Sequence, residues 1–344
     1  PSKDDTDGCY AIGTKEELYG FASLVNQGNL NICGKLVDNI VVNENVLIEG
    51  KLSSDSLSFN QWTPIGINAP FLGTFDGQGC TISGLYANTN SGNLGLFGFL
   101  ANSVQIKNLK VVDSYISSTG YNNNVGGIVG RNTSDVLIDG VSFSGIVSGA
   151  YDVGGIIGYT VNAASLNDVS FSGLVSGSYN VGGIVGRNDR AKQTITKTSF
   201  HGSVKASDGY VGGIVGYSMG SYGSSYLRIA NSDVSGSVES NAQIYVGGFV
   251  GYSSGDAEIS SSQNQASVKG PRYVGGFVGY VYGEGLQLTK SFNSGDIVAT
   301  ESESYVGGLV GYFDRGSISN CYNVGSVSGN DYVGGLAGQV EGAS

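Results

Sequence analysis

From residue 93 to the C-terminus, apolar residues fall in short runs broken every few positions by Gly, Ser or Asn. No stretch there keeps the 3.6-residue period of an amphipathic helix. The hexapeptide Val-Gly-Gly-Ile-Val-Gly recurs with small changes, starting at Val125, Val153, Val181, Val211, Val246, Val274, Val306 and Val333. Successive spacings are 28, 28, 30, 35, 28, 32 and 27 residues, and a degraded copy, Asn93 to Gly98, lies 32 residues before Val125. Between copies runs a second repeated segment, as in Val141 to Gly149, Val169 to Gly177 and Cys321 to Gly329. A shorter one precedes it, such as Val136-Leu137-Ile138 or Gly316-Ser317-Ile318-Ser319. Each repeat thus offers three β-branched runs punctuated by turn residues, which is the pattern of strands.

Three short strands per repeat, nearly identical from one repeat to the next, predict an all-β fold. The architecture expected is a parallel β-solenoid (a β-helix, right-handed) of about nine coils with three short strands per coil. Coils rising by about 4.8 Å each would make a rod roughly 40 Å long. A β-propeller is the alternative, but the repeat is too short for a blade of four strands. The recurring glycines then belong to tight corners that need positive φ or no side chain. Lengthened spacings place outward loops at Met219 to Ser225 and around Ala299 to Ser304.

Upstream the pattern changes. Residues 1–8 read as a flexible, solvated tail, with Asp4, Asp5 and Asp7 spaced unlike a calcium loop. A strand follows at Cys9 to Ile12. Thr14-Lys15-Glu16-Glu17 forms a capping box for a helix over about 15–26, and Gly28 suits its C-terminal end. Strands are expected over Gly34 to Val42 and Val46 to Leu52. Residues 9–60 therefore read as a small α/β cap, because an open solenoid end exposes unpaired backbone and needs cover. No such cap follows the last repeat, so that end is expected either to continue into further chain or to pair with another molecule.

Composition sharpens this picture. The 344 residues include 58 Gly and 4 Pro, which excludes collagen, and the aromatic and β-branched content excludes a disordered chain. The length alone suggests two domains, but a repeat array overrides that prior. A net charge of −11 argues against a nucleic-acid partner. No apolar run approaches a membrane-spanning segment. The absence of an initial Met or a leader reads as a mature chain or a cut fragment. Low charge, 13%, also suits stacked coils, in which like charges would repel.

The string Tyr-Val-Gly-Gly-Phe-Val-Gly-Tyr at Tyr245 to Tyr252, and Ser319 to Val327, resemble the GLUG repeat over residues 93–344. Trp62 to Gly66 and Gly73 to Leu85 are similar to the lead-in that precedes such repeats, so 61–92 are taken as lead-in coils. The resemblance implies a bacterial secreted or cell-surface protein. The family includes adhesin-like proteins and non-catalytic parts of immunoglobulin-A-cleaving peptidases.

Candidate chemistry is sparse. With one His, His201, a His-Glu-x-x-His zinc site is impossible, and neither a metal nor a cofactor is expected. His201 occupies a position held by Ser144, Ser172 and Asn323 elsewhere, which points to repeat drift. Asp135, Asp139, Asp168, Asp189 and Asp208, with Arg131, Arg187 and Lys192, are candidates for a polysaccharide-active face, but they occupy different phases of the repeat. Cys9 and Cys33 flank the predicted helix; a disulfide and two buried thiols are both open. Cys80 and Cys321 read as core fillers.

Tyrosine is the clearer signal. Tyr210, Tyr245, Tyr273, Tyr305 and Tyr332 precede the hexapeptide, and Tyr159, Tyr217, Tyr252, Tyr280 and Tyr312 follow it. In a regular solenoid each set forms a ladder. It would either staple coil to coil or offer a strip to a host or cell-surface glycan or protein. The expectation is a non-catalytic extracellular stalk or adhesive ectodomain of a bacterial surface protein. The alternatives are a filament subunit that self-associates through its coil ends, and a carbohydrate-binding or polysaccharide-active β-helix.

Overall fold

The computed structural model describes all residues except 5, 122, 190, 191, 221–225, 243, 244, 284, 343 and 344. From residue 93 the chain winds as a parallel β-solenoid of about nine coils, each contributing to three sheets. Two sheets have nine strands. The entry sheet runs from Asn93–Leu94 to Val333–Gly334, and the exit sheet from Phe97–Leu100 to Ala337–Val340. The third, broad sheet takes the other two segments of each repeat. They are fused in early coils, as in Val136–Ser148, and separate in later ones, as in Asp256–Ser260 and Ser267–Gly270. The outward loop expected at Met219 to Ser225 falls mostly on 221–225, outside the described residues.

The register does not slip. Val125, Val153, Val181, Val211, Val246, Val274, Val306 and Val333 stand directly above one another. A one-residue slip would turn this valine column, fully buried in every coil but the last, out to solvent, which is why the register is strongly specified.

Of the two reasons for glycine at the pair, positive φ or the lack of a side chain, the structure selects the second. None of Gly126, Gly127, Gly154 and Gly155 has positive φ. They are needed for close approach instead. A Cβ on Gly155 would lie 2.1 Å from the carbonyl oxygen of Gly183 and 2.5 Å from Phe171 Cδ2. The left-handed corner of each coil falls on another column: Asn108, Gly140, Asp168, Lys197, Asn231, Ser261, Lys290 and Asn320, with φ between 50° and 63°. In the later coils a hydroxyl follows each corner. Ser232 N–H donates to Ser262 Oγ (3.2 Å), Ser262 N–H to Ser291 Oγ (3.1 Å) and Ser291 N–H to Cys321 Sγ (3.4 Å). Cys80 and Cys321 are unpaired, half-buried and packed against the core. Cys321 also fills the serine's place in this column, which the core-filler reading did not anticipate.

Inside the coils the side chains form columns of their own. Phe143, Phe171 and Phe200 stack at 5.7 and 5.6 Å. The column passes through Val234 and continues as Asn264, Asn293 and Asn323, linked by amide hydrogen bonds of 2.6 and 2.7 Å. The residue after the second glycine changes in the opposite sense, from Ile128, Ile156 and Ile184 to Phe249 and Phe277. Aromatic bulk thus moves from one wall to the other, in keeping with a core held at constant packing density.

The N-terminal unit is continuous with the solenoid. Tyr10–Ile12, Cys33–Leu36, Thr74–Asp76 and Val104–Ser118 pair successively in parallel. The helix Lys15–Asn26 closes this end, with Leu18, Phe21 and Val25 fully buried and Phe21 edge-on to Phe71 and Phe75. Thr14 Oγ1 accepts from Glu17 N–H (3.2 Å), but Glu17 reaches back to Gly13 N–H (2.8 Å) rather than to the cap residue's own amide. A disulfide joins Cys9 and Cys33. The expected tail does not run free. Ser2–Lys3 pairs antiparallel with Tyr10–Ile12, and Lys35 Nζ meets Asp4 Oδ2 (2.5 Å) and Asp7 Oδ2 (2.8 Å). Asp5 lies outside the described residues. At the other end Val324, Val333 and Leu336 are 69%, 46% and 46% exposed.

Candidate functional site

The tyrosine strip lies where the entry and exit sheets meet. Tyr210, Tyr245, Tyr273, Tyr305 and Tyr332 form one column, stacked at 4.7–5.5 Å. Tyr217, Tyr252, Tyr280 and Tyr312 form the second, at 4.7–5.7 Å. The columns interlock: Tyr245 meets Tyr252 and Tyr280 at 5.4 and 5.0 Å, both edge-on. Most of these rings are half-buried, Tyr312 is buried, and Tyr332 is exposed at the open end. Burial is the largest cause lifting the hydroxyl pKa of Tyr210, Tyr217, Tyr245, Tyr252, Tyr273, Tyr280 and Tyr312, to about 12 at Tyr252 and higher at Tyr280 and Tyr312. Those seven hydroxyls are therefore neutral donors and acceptors at any ordinary pH. Within the columns each ring face is occupied by the next ring, so between its ends the strip turns edges and hydroxyls, not faces, to solvent.

Tyr159 belongs to the second column but has no tyrosine neighbours. In register the column reads Phe99, Arg131, Tyr159, Arg187, Tyr217. Arg131 lies over Phe99 and Tyr159 at 5.5 and 5.7 Å, and Arg187 over Tyr159 and Tyr217 at 5.4 Å each. The first column changes in step, to Asn93, Asn124, Asp152 and Asn180. Asn124 Nδ2 donates to Asn93 Oδ1 (2.7 Å), and Asn180 Nδ2 to Asp152 Oδ1 (2.6 Å). Burial lifts the Asp152 carboxyl to about 6 against the pull of the Asn180 hydrogen bond and of Arg187. The alternation of cation and ring, with an amide ladder beside it, was not singled out from sequence. The recurrence of Asn, Asp and Arg at these two phases was the available signal.

The candidate carboxylates do not converge. Asp135 is exposed in a turn, and Asp139 accepts from Asn167 Nδ2 (2.7 Å). Asp168 is a left-handed corner, and Asp189 on the exit sheet is paired with Arg187 and Tyr159 Oη (3.1 Å each). Asp208 sits in a turn beside Tyr179, and Lys192 is exposed. The structure does bring His201 between two partners on the next coil, Ser235 Oγ at 2.6 Å from Nδ1 and Asp233 Oδ2 at 3.6 Å from Nε2. His201 stands on an open sheet face in parallel register with Ser172 and Ser235, while the ladder beyond Ser235 skips that residue and Gly236. An open groove of about 410 Å³ holds Asp256, Glu258 and Arg315, with Glu258 already bonded by Tyr226 and near Arg228. Among the described residues no group of three or more His, Cys, Asp or Glu could hold a metal ion, and no helix is long and apolar enough to cross a membrane.

Fold and side-chain columns together define a parallel β-solenoid repeat protein. Residues 302–328 match the model of the GLUG motif. An 83-residue stretch, 24% of this chain, is 39% identical to a protein of Evansella cellulosilytica named "Putative Gly-rich membrane protein". That stretch covers 9% of the Evansella protein's length, so the chain spans a small part of it. A crystal structure described as a putative immunoglobulin A1 protease from Bacteroides ovatus shares the fold with a TM-score of 0.54. The match is 17% identical and covers 88% of this chain and 79% of that one.

Proposed function

We propose that the chain is a non-catalytic extracellular β-solenoid, the stalk or adhesive ectodomain of a bacterial surface protein. The observation that carries this reading is the unbroken in-register stacking of about nine coils, stapled outside by tyrosine columns and inside by Phe and Asn columns. Such a ladder commits its backbone donors to neighbouring coils and holds its shape without a bound group. The Cys9–Cys33 disulfide suits an oxidising compartment. In this reading residues 1–8 are an N-terminal extension, 9–60 the cap, 61–92 lead-in coils and 93–344 the repeat solenoid. The tyrosine columns act as staples, because a sugar ring needs a free aromatic face and, between the column ends, theirs are covered.

The helix Lys15–Asn26 weighs against a head-to-tail filament. One copy's open last coil would have to displace a helix whose Phe21 is fully buried in order to dock on the next copy's first. The test is surface labelling of intact producing cells with antibody to residues 93–344, with and without protease shaving. Labelling that is lost on shaving is expected. Signal only after lysis would overturn the reading. Release of reducing ends from a polysaccharide panel by the purified chain would overturn its non-catalytic part.

A further inference from the structure

We infer that Arg131 anchors a binding site for a carboxylate-bearing glycan. The solenoid contains its own comparison. Arg131 and Arg187 hold the same phase of the exit sheet two coils apart, and each guanidinium lies between two aromatic rings. Arg187 is neutralised within the chain: Asp189 Oδ2 is 3.1 Å from one of its terminal nitrogens, and Asp152 also acts on it. Arg131 has neither carboxylate. The register that aligns Asn132, Thr160 and Asn188 puts Thr133 where Asp189 stands, and the neighbouring column offers Asn93 and Asn124 where Asp152 stands. Among the described residues no carboxylate lies within ion-pair distance of Arg131; the buried Nε of both arginines lacks a hydrogen-bond partner, so the two differ in the carboxylate at the terminal nitrogens. A half-buried guanidinium held rigid by two rings and left without an anion presents its terminal N–H groups to a carboxylate from outside, in the place the Asp189 carboxylate takes beside Arg187.

The surroundings favour a sugar acid over an acidic peptide. In the later coils Tyr210, Tyr245 and Tyr273 of the first column each touch two rings of the second, one on their own coil and one on the next. The same spacing sets Asn93 and Asn124 on either side of Arg131. Their mutual hydrogen bond leaves Asn93 Nδ2 and Asn124 Oδ1 without a protein partner. A donor and an acceptor flanking a cation match a carboxylate with vicinal hydroxyls, which both donate and accept. A peptide would bind most readily by adding a strand, and the strands carrying Arg131 and Asn124 are already paired on both sides, with only the two-residue strand Asn93–Leu94 at a sheet edge.

This site goes beyond the surface-rod reading and does not depend on it, because binding is measured on the isolated chain. The probes are a hyaluronan hexasaccharide, its carboxyl-reduced counterpart and a tetraglutamate peptide, titrated by calorimetry at low and at physiological salt. Binding of the hexasaccharide alone is expected, weakening as salt rises. Arg131→Gln should lower the affinity at least tenfold. Thr133→Asp supplies the carboxylate that Arg187 already has, and should lower it as much while thermal stability is kept or raised. No binding by the unmodified chain, equal binding of the carboxyl-reduced probe or of the peptide, or undiminished binding by Thr133→Asp would each overturn the assignment.

Discussion

Replacing Gly155 with Ala tests the account of the glycine pair. The new methyl would sit 2.1 Å from the Gly183 carbonyl oxygen and 2.5 Å from the Phe171 ring, both on wholly packed coils. Normal contact would need more than an ångström of movement, and the nearest obstacle is backbone. That backbone is tied in turn, Gly183 N–H donating to Gly212 O (3.0 Å), and Gly155 itself is held by Gly127 N–H to its own O (3.1 Å) and by its N–H to Gly182 O (3.3 Å). Overpacking in a tight core costs about 1–3 kcal/mol, and a weakened inter-coil hydrogen bond adds about 1. A loss of about 3 kcal/mol is expected. Gly335 is the matched control, the same second glycine in the last coil, with no atom within 4 Å of its would-be Cβ. Gly335→Ala should change stability by less than about 0.5 kcal/mol. Urea unfolding followed by far-UV circular dichroism, with hydrogen exchange to locate the loss, measures both. Gly155→Ala with a wild-type midpoint, or equal losses at the two positions, would refute the close-approach argument.

Other consequences follow from the same geometry. Removing the disulfide by Cys9→Ser with Cys33→Ser opens a 24-residue separation worth about 3.5 kcal/mol of chain entropy. Exchange protection should fall in residues 10–40 and hold in the distal coils. Tyr252→Ala deletes a ring stacked on Tyr217 and Tyr280 and should cost about 3 kcal/mol, whereas Tyr252→Phe keeps the stack and should cost under about 0.5; thermal melts distinguish them. The Asp152 carboxyl, with its pKa raised to about 6, holds a proton in the folded chain that the unfolded chain releases above about 4. Stability should therefore fall as pH rises from about 4 to about 6, by up to about 3 kcal/mol. Asp152→Asn, which continues the Asn124 and Asn180 ladder, should be flat across that range and more stable at pH 7.5 in urea titrations.

The solenoid and its phase could be read from the hexapeptide because each copy makes identical neighbours, so sequence identity at fixed spacing translates directly into register. The N-terminal helix was equally plain from Thr14, Glu17 and Gly28. The physical role of the glycine pair was not, because a need for positive φ and a need for no Cβ select the same residue. Only the backbone angles separate them. The left-handed corners were hidden for a related reason: Lys197, Ser261 and Lys290 are not residues that announce a positive φ, and tertiary packing holds them there. The tyrosine ladders were visible, but stacking, which decides whether their faces are free, was not. Arg131 and Arg187 were noted as loose cations near carboxylates, because a column of alternating Arg and aromatic residues has no single repeating letter.

A ladder of this kind constrains where recognition can arise. Backbone groups are spent on neighbouring coils, and buried columns answer to packing, as the opposed shift from Phe200 to Asn264 and from Ile184 to Phe249 shows. What remains free to vary is the outward column, and there the stacking rule is that each side chain must be compatible with the one above and below. Tyrosine on tyrosine satisfies the rule and leaves nothing unpaired. Arginine between rings also satisfies it, but adds a charge that stacking does not cancel. Where Asp189 cancels it, the coil is self-sufficient. Where Thr133 stands instead, the charge is left for something outside the chain. The informative positions in such a rod are therefore those where two equivalent coils, under the same packing demand, differ in whether the chain supplies the counter-ion.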